Sequence, residues 1–241
     1  MINFRKKAVA MLLATVFTAG MLSGCGPSVD TEKSKNDSRK AVEQTTQAEA
    51  DTNSKAQNEE DKSESIDIFA MDTYMTVTAY GEHASEAVDK AETEIKRLDG
   101  MLSTGNENSE VYKLNQNGEA VVSDDTAYLY ERSEKIYKQT KGVFDISIYP
   151  VMDAWGFTTE NYRIPAEDEL SALLKNVDAS KIQYDKKTKK ITLPKNVKID
   201  FGGIAKGYTS SRIMQIYKKC GVTSGLVSLG GNVQLLGAKP D

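Results

Sequence analysis

Cysteine is nearly absent from this chain of 241 residues: Cys25 and Cys220 are the only two. A framework of several disulfides is therefore excluded. Histidine is scarcer still; His83 stands alone, at what reads as an exposed helix start. Positive charge is not in excess. A net charge of −4 and a pI near 5.3 argue against nucleic acid as a partner. No long hydrophobic run is present; the apolar stretch 8–22 is too short and wrongly flanked for a stable spanning helix. Between 28 and 65 there is no aromatic residue and almost no large apolar one. Such a segment cannot bury enough surface to offset chain entropy and reads as a disordered spacer. Two nucleotide signatures are also missing. No Gly-Lys-Ser/Thr closes a Walker A loop, and no GxGxxG is found.

The N-terminus has a pattern of its own. Arg5, Lys6 and Lys7 precede the apolar stretch, which ends in small residues, as in a secretory signal. Leu22-Ser23-Gly24-Cys25 resembles a bacterial lipobox. That resemblance implies cleavage before Cys25, lipidation of its thiol, and a chain tethered to the extracytoplasmic face of the cell membrane. The alternative is an ordinary signal peptide with a chance cysteine. With Cys25 lipidated, Cys220 has no partner within the chain; it reads as a buried or half-buried thiol at a helix end, before Gly221. The expected organisation is a signal peptide at 1–24, a lipidated linker at 25–65 and one domain at 66–241.

Within 66–241 the periodicity mixes two and 3.6. Residues 66–80 alternate in strand fashion and break near Met71-Asp72. Ala84, Ala87, Val88, Ala91, Ile95 and Leu98 are at helical spacing, with Gly100 expected just past the end. A second helix is expected over 124–141, capped by Ser123 or Asp124 and closed by Gly142. A shorter helix is predicted at 165–175, a hairpin at 181–193, a helix at 204–219, and strands at 226–229 and 233–236 around Gly230-Gly231-Asn232. Strands and helices do not alternate strictly, so the class is α+β.

The run Ile199-Asp200-Phe201-Gly202-Gly203-Ile204-Ala205-Lys206-Gly207-Tyr208 concentrates the chemistry. A carboxylate, two glycines and a lysine ahead of a helix suit close backbone approach to a phosphate with a cation nearby. Tight packing of a helix on a strand would use the same glycines. Three other loops bear glycines or carboxylates: 70–73, 102–110, and 142–147 leading to Trp155-Gly156-Phe157.

Together these segments resemble the FAD:protein FMN transferases, the ApbE family. The resemblance covers 66–241 and rests on Asp-Phe-Gly-Gly-Ile-Ala-Lys-Gly-Tyr at 200–208 and Gly-Val-Phe-Asp-Ile-Ser at 142–147. Leu-Ser-Thr with Ser-Glu-Val over 102–111 and Ser-Leu-Gly-Gly-Asn at 228–232 add to it. It implies a single mixed domain of ApbE-like, T-fold-related type. It also implies FAD as substrate, Mg²⁺, and transfer of the FMN half to a threonine or serine hydroxyl of a target flavoprotein, with release of AMP. Met71, Val143, Phe144, Asp145, Asp200 and Lys206 match FAD contacts. Gly203 matches a position, often alanine, whose backbone carbonyl is a magnesium ligand. Where many relatives carry a tyrosine this chain has Gly105.

The family also has, past the point matching Asp241, a histidine-containing segment and an Asp/Thr pair that completes the magnesium site. The chain is therefore expected to be C-terminally incomplete relative to the family. No catalytic residue is assigned; Asp145, Asp200 and a C-terminal carboxylate all remain open as the base. Two other functions fit the sequence. One is an FAD pyrophosphatase giving FMN and AMP. The other is a flavin-binding or solute-binding lipoprotein without catalysis.

Overall fold

The structure, a computed structural model, describes residues 62–159 and 161–240. Cys25, the expected signal segment and most of the expected linker lie outside the described residues. Strands β1 (Ser63–Ala70) and β2 (Thr73–Tyr80) form a hairpin around Met71-Asp72, and β1 opens ahead of the expected boundary at 66. Helix α1 (Ala84–Leu102) follows, with His83 exposed at its N-cap position. Then come α2 (Glu110–Asn117), β3 (Glu119–Val121) and α3 (Asp124–Gln139). A 3-10 turn at Ile146–Ile148 leads into the short α4 (Tyr149–Ala154). After α5 (Glu167–Leu173), strands β4 (Gln183–Asp185) and β5 (Lys190–Thr192) form the predicted hairpin. Helix α6 (Gly202–Lys219) precedes β6 (Ser224–Leu229) and β7 (Asn232–Leu236). Cys220 is half-buried just past α6. Among the described residues no helix is long and apolar enough to cross a membrane.

The larger sheet is antiparallel, in the order β1-β2-β6-β7. Met75 pairs with Leu229 and Val77 with Val227, so period-2 alternation turns one face apolar. Helices α1 and α6 cover that face, with Ala87, Ala91 and Ile95 from the first and Ile213 and Tyr217 from the second. The smaller sheet, β3-β5-β4, lies over a second core that includes Leu98, Leu114, Leu129, Ile191, Ile199 and Phe201. Each fully buried aliphatic side chain contributes about 1.5–3 kcal/mol. Both long helices span the two cores, and Met71 packs against both.

Three expectations need correction. Gly100 lies inside α1, which continues to Leu102 because Leu98 and Leu102 are buried in the second core and outweigh one glycine. The stretch read as a loop near 110 is helix α2, capped by Ser109, whose hydroxyl accepts from the Tyr112 N–H, and ended at Gly118. The glycines expected ahead of the last helix form its first turn.

A charged network fixes α6 against α1 and α3. The Glu94 carboxylate accepts from Arg97 Nε at 2.8 Å, Arg97 Nη2 at 2.9 Å and Arg212 Nε at 2.9 Å. Arg97 also pairs with Asp125 at 2.8 Å, and the Tyr208 hydroxyl donates to Asp125. Hydrogen bonds from Arg97, then Arg212, hold Glu94 below the usual carboxylate range. Asp125 is also lowered; burial opposes this, but Tyr208 and Arg97 outweigh it.

Candidate functional site

Met71 and Asp72 form the β1–β2 turn with φ of 49° and 56°. These left-handed values are uncommon for residues other than glycine and are sustained by surrounding contacts. Here the Met71 N–H donates to Asp99 Oδ1 of α1 at 2.9 Å, and the thioether lies 3.8 Å from the Thr209 hydroxyl of α6. The turn therefore presents Asp72 to a cleft of about 510 Å³. Ser103, Thr104 and Gly105 line it beyond α1. Phe157 and Tyr162 line it from the loop after α4. Asp200, Gly202 and Lys206 line it from the start of α6.

Asp200 is placed by its backbone. Its N–H donates to the Ile146 carbonyl at 2.8 Å. The preceding Ile199 is held by the buried Asn115 amide, which accepts from the Ile199 N–H at 2.7 Å and donates to its carbonyl at 2.8 Å. One side chain thus does the work of a neighbouring strand, and the apolar run before Asp200 is not part of either sheet. The Gly202 N–H donates to Asp200 Oδ1 at 2.5 Å. A Cβ at Gly202 would lie 2.7 Å from that oxygen, so the Asp200 carboxylate would have to turn aside to admit one. Burial raises the Asp200 pKa, the Gly202 N–H opposes it, and the charge of Asp72 adds to the rise.

The N-terminus of α6 lies at the cleft; its N-cap residue Phe201 gives no side-chain cap, and Asp200 takes up only the Gly202 N–H. The Gly203 N–H has no protein partner among the described residues, and Lys206, one turn on, forms no salt bridge there. One free N–H at the positive end of an 18-residue helix, with an unpaired ammonium, makes an anion-receptive surface. Asp72, from the β1–β2 turn, and Asp200, at the start of α6, line the same cleft and suit a hard cation. Among the described residues no group of three or more His, Cys, Asp or Glu is placed to hold a metal.

Three of the six FAD-contact positions expected from sequence, Met71, Asp200 and Lys206, meet in the cleft. Val143, Phe144 and Asp145 do not line it. Val143 is exposed. The Asp145 carboxylate accepts from the Ser147 N–H at 2.8 Å, the Ser147 hydroxyl at 2.6 Å and the Ala179 N–H at 3.1 Å, so it clamps the chain. Phe144 backs Gly203: a Cβ there would meet the ring at 3.0 Å. That contact and the Asp200–Ile146 bond are how the 142–147 segment supports the site. Gly203 itself does not line the cleft. Asp99 and Tyr162 escaped sequence reading. Asp99 had a signal, since it lies at helical spacing between Ile95 and Leu102 on the buried stripe of α1. Tyr162, in an irregular loop, had none.

Fold and cleft together define an α+β protein with an anion-receptive helix N-terminus framed by carboxylates. The ApbE family model matches residues 71–241, and the chain belongs to the ApbE family. It is 27% identical over 171 residues to the FAD:protein FMN transferase of Haemophilus influenzae, covering 67% of this chain and 49% of that one. With the protein of the same name from Treponema pallidum it shares 28% over 163 residues, 64% and 45% of the two chains. The crystal structure of the ApbE protein of Thermotoga maritima superposes with a TM-score of 0.70 at 29% identity, covering 74% of this chain and 60% of that one. The flavinyl transferase ApbE of Pseudomonas stutzeri shares the fold, with a TM-score of 0.67 at 24% identity, over 75% and 60%. The chain spans about half the length of the curated relatives it matches.

Proposed function

We propose that this protein binds FAD in the cleft and transfers its FMN half to a threonine or serine hydroxyl of an acceptor flavoprotein, releasing AMP. The observation that carries this is Lys206, which forms no salt bridge among the described residues and lines the same cleft as Asp72 and Asp200 at the start of α6. The relatives named FAD:protein FMN transferase support the same reading. The acceptor oxygen bonds to the FMN phosphorus, and the bond from that phosphorus to the bridging oxygen breaks. AMP carries the bridging oxygen away, and the hydroxyl proton passes to solvent. Lys206 and the helix N-terminus hold the pyrophosphate. Phe157 and Tyr162, 51% and 70% exposed, offer ring faces beside Gly105, where a Cβ would meet nothing.

Mg²⁺ belongs to this proposal. Asp200 and Asp72 would hold it, with the Gly203 carbonyl as the further ligand the family resemblance implies. When bound it neutralises charge developing on the phosphoryl oxygens. The raised pKa of Asp200 fits that role, because a buried carboxylate beside another gains from a nearby cation. The lipobox-like Leu22–Cys25 run supports anchoring through lipidated Cys25 at the extracytoplasmic membrane face.

The test incubates the full chain with FAD, Mg²⁺ and a threonine-bearing acceptor flavoprotein, with an EDTA control, and reads FMN addition by mass. Addition that EDTA abolishes is expected. Release of FMN and AMP without acceptor modification would replace transfer by hydrolysis. FAD binding with no turnover would leave a flavin-binding protein. Anchoring is tested separately, by loss of the chain from the membrane fraction in Cys25→Ser.

A further inference from the structure

A second concavity, of about 540 Å³, lies between α3 and α6 on the side of α6 away from the cleft, with which it shares no lining residue. Its floor is apolar, from Leu129, Ile136 and Ile204. Tyr128 and Tyr208 form one wall, their ring centroids 5.3 Å apart. Tyr128 is 55% exposed although it sits beside that apolar floor.

Most charges around the groove are spent. Asp124 pairs with Lys189, Asp125 with Arg97, and Arg212 with Glu94. Arg132 is exposed and forms no salt bridge among the described residues, so the uncompensated charge is positive. A guanidinium in that state favours a carboxylate partner. Direction matters as well. The lining on α6 runs from Gln215 to Ile204, about 16 Å along the helix axis. That length takes about five residues of extended chain. It ends at Ile204, directly after Gly203 and beside the helix terminus that faces the cleft.

We propose that this groove seats the acceptor polypeptide. An extended segment lays an aliphatic side chain over Ile136 and Ile204 and sets a carboxylate on Arg132. Its hydroxyl residue then passes Ile204 and reaches FAD across the N-terminus of α6. The inference rests on the transferase reading and names the recognition surface that reading lacks.

The probes are two peptides, acetyl-Glu-Leu-Ala-Ala-Thr-Gly-amide and the same peptide with lysine in place of glutamate. Binding to the full chain is followed by backbone amide resonances, with and without FAD. The acidic peptide is expected to shift Tyr128, Arg132 and Ser211, and the lysine peptide to bind about fivefold more weakly. Arg132→Glu should invert that preference while leaving FAD affinity unchanged. Ser211→Trp, at an exposed position, should block both peptides. Shifts confined to the cleft, or equal binding of both peptides to the wild type and Arg132→Glu, would overturn the proposal. So would FMN transfer to a whole acceptor protein that neither variant slows. Failure of FMN transfer to any hydroxyl, with peptide still bound in the groove, is a different result: it removes the transferase reading.

Discussion

Lys206 and Arg212 stand on the same helix, fewer than two turns apart, and their surroundings are opposite. Arg212 is bound to Glu94, which also binds Arg97, which reaches Asp125. Every charge there has a partner, and the network joins three helices. At Lys206 there is no salt-bridge partner among the described residues; the nearby Gly203 N–H is free, and burial, with the charge of Asp72 adding to it, raises the pKa of Asp200. A cation that is fully paired stabilises the fold. One left unpaired beside a helix end with a free N–H is available to a ligand.

The comparison breaks most sharply at Asp200. Asp200→Asn should lower Mg²⁺-dependent FMN transfer about a hundredfold, with little change in thermal midpoint; a large fall in midpoint would make Asp200 a structural residue. On the network side, Glu94→Ala should cost about 2 kcal/mol of stability, because it strands the part-exposed Arg212 guanidinium and leaves Arg97 with Asp125 alone. Urea titration would measure this, and FAD affinity should stay within about twofold. Next in size, Lys206→Ala should weaken FAD binding about tenfold with the urea midpoint unmoved. If unfolding shifts and binding does not, the assignments of the two regions are reversed.

Acid sharpens the same contrast. Glu94 and Asp125 both have lowered folded-state pKa values. Their contribution is complete above the usual carboxylate pKa and is lost as pH falls through the lowered values. The wild type should therefore lose stability on acidification through that window, and Glu94→Gln should flatten the slope. The smallest effect is expected at Gly203→Ala. Helix propensity favours the change by about 1 kcal/mol, while the new methyl meets the Phe144 ring at 3.0 Å. The half-buried ring can yield by a few tenths of an ångström, so the net change should be within about 0.5 kcal/mol.

Local signals carried far into this fold. The alternation before and after Met71-Asp72, the alanine-rich stripe of α1 and the Ser123 cap of α3 each depend on neighbours within one turn or one strand pair. Helix α2 was equally local, with Ser109 before it and Gly118 after it; its brevity hid it. Strand β3 was not legible, because three residues carry too little periodicity and their pairing with β5 lies some seventy positions away. The site divides along the same line. Asp200 and Lys206 could be named from one motif. The role of Asp145 could not: its carboxylate is taken up by Ser147 and by Ala179, which only folding brings near.

What the sequence determined by itself was the inventory and the local geometry. It placed a carboxylate, two glycines and a lysine at the start of a helix, because periodicity, caps and close-approach glycines act over a few residues. Tertiary structure alone decided which charges are spent and which are free. Whether Arg212 meets Glu94, whether Asp72 faces Asp200, and whether Asn115 holds Ile199 in place all depend on chain segments far apart in sequence. Such pairings are set by how the two cores pack across α1 and α6, and no single stretch of sequence carries that information.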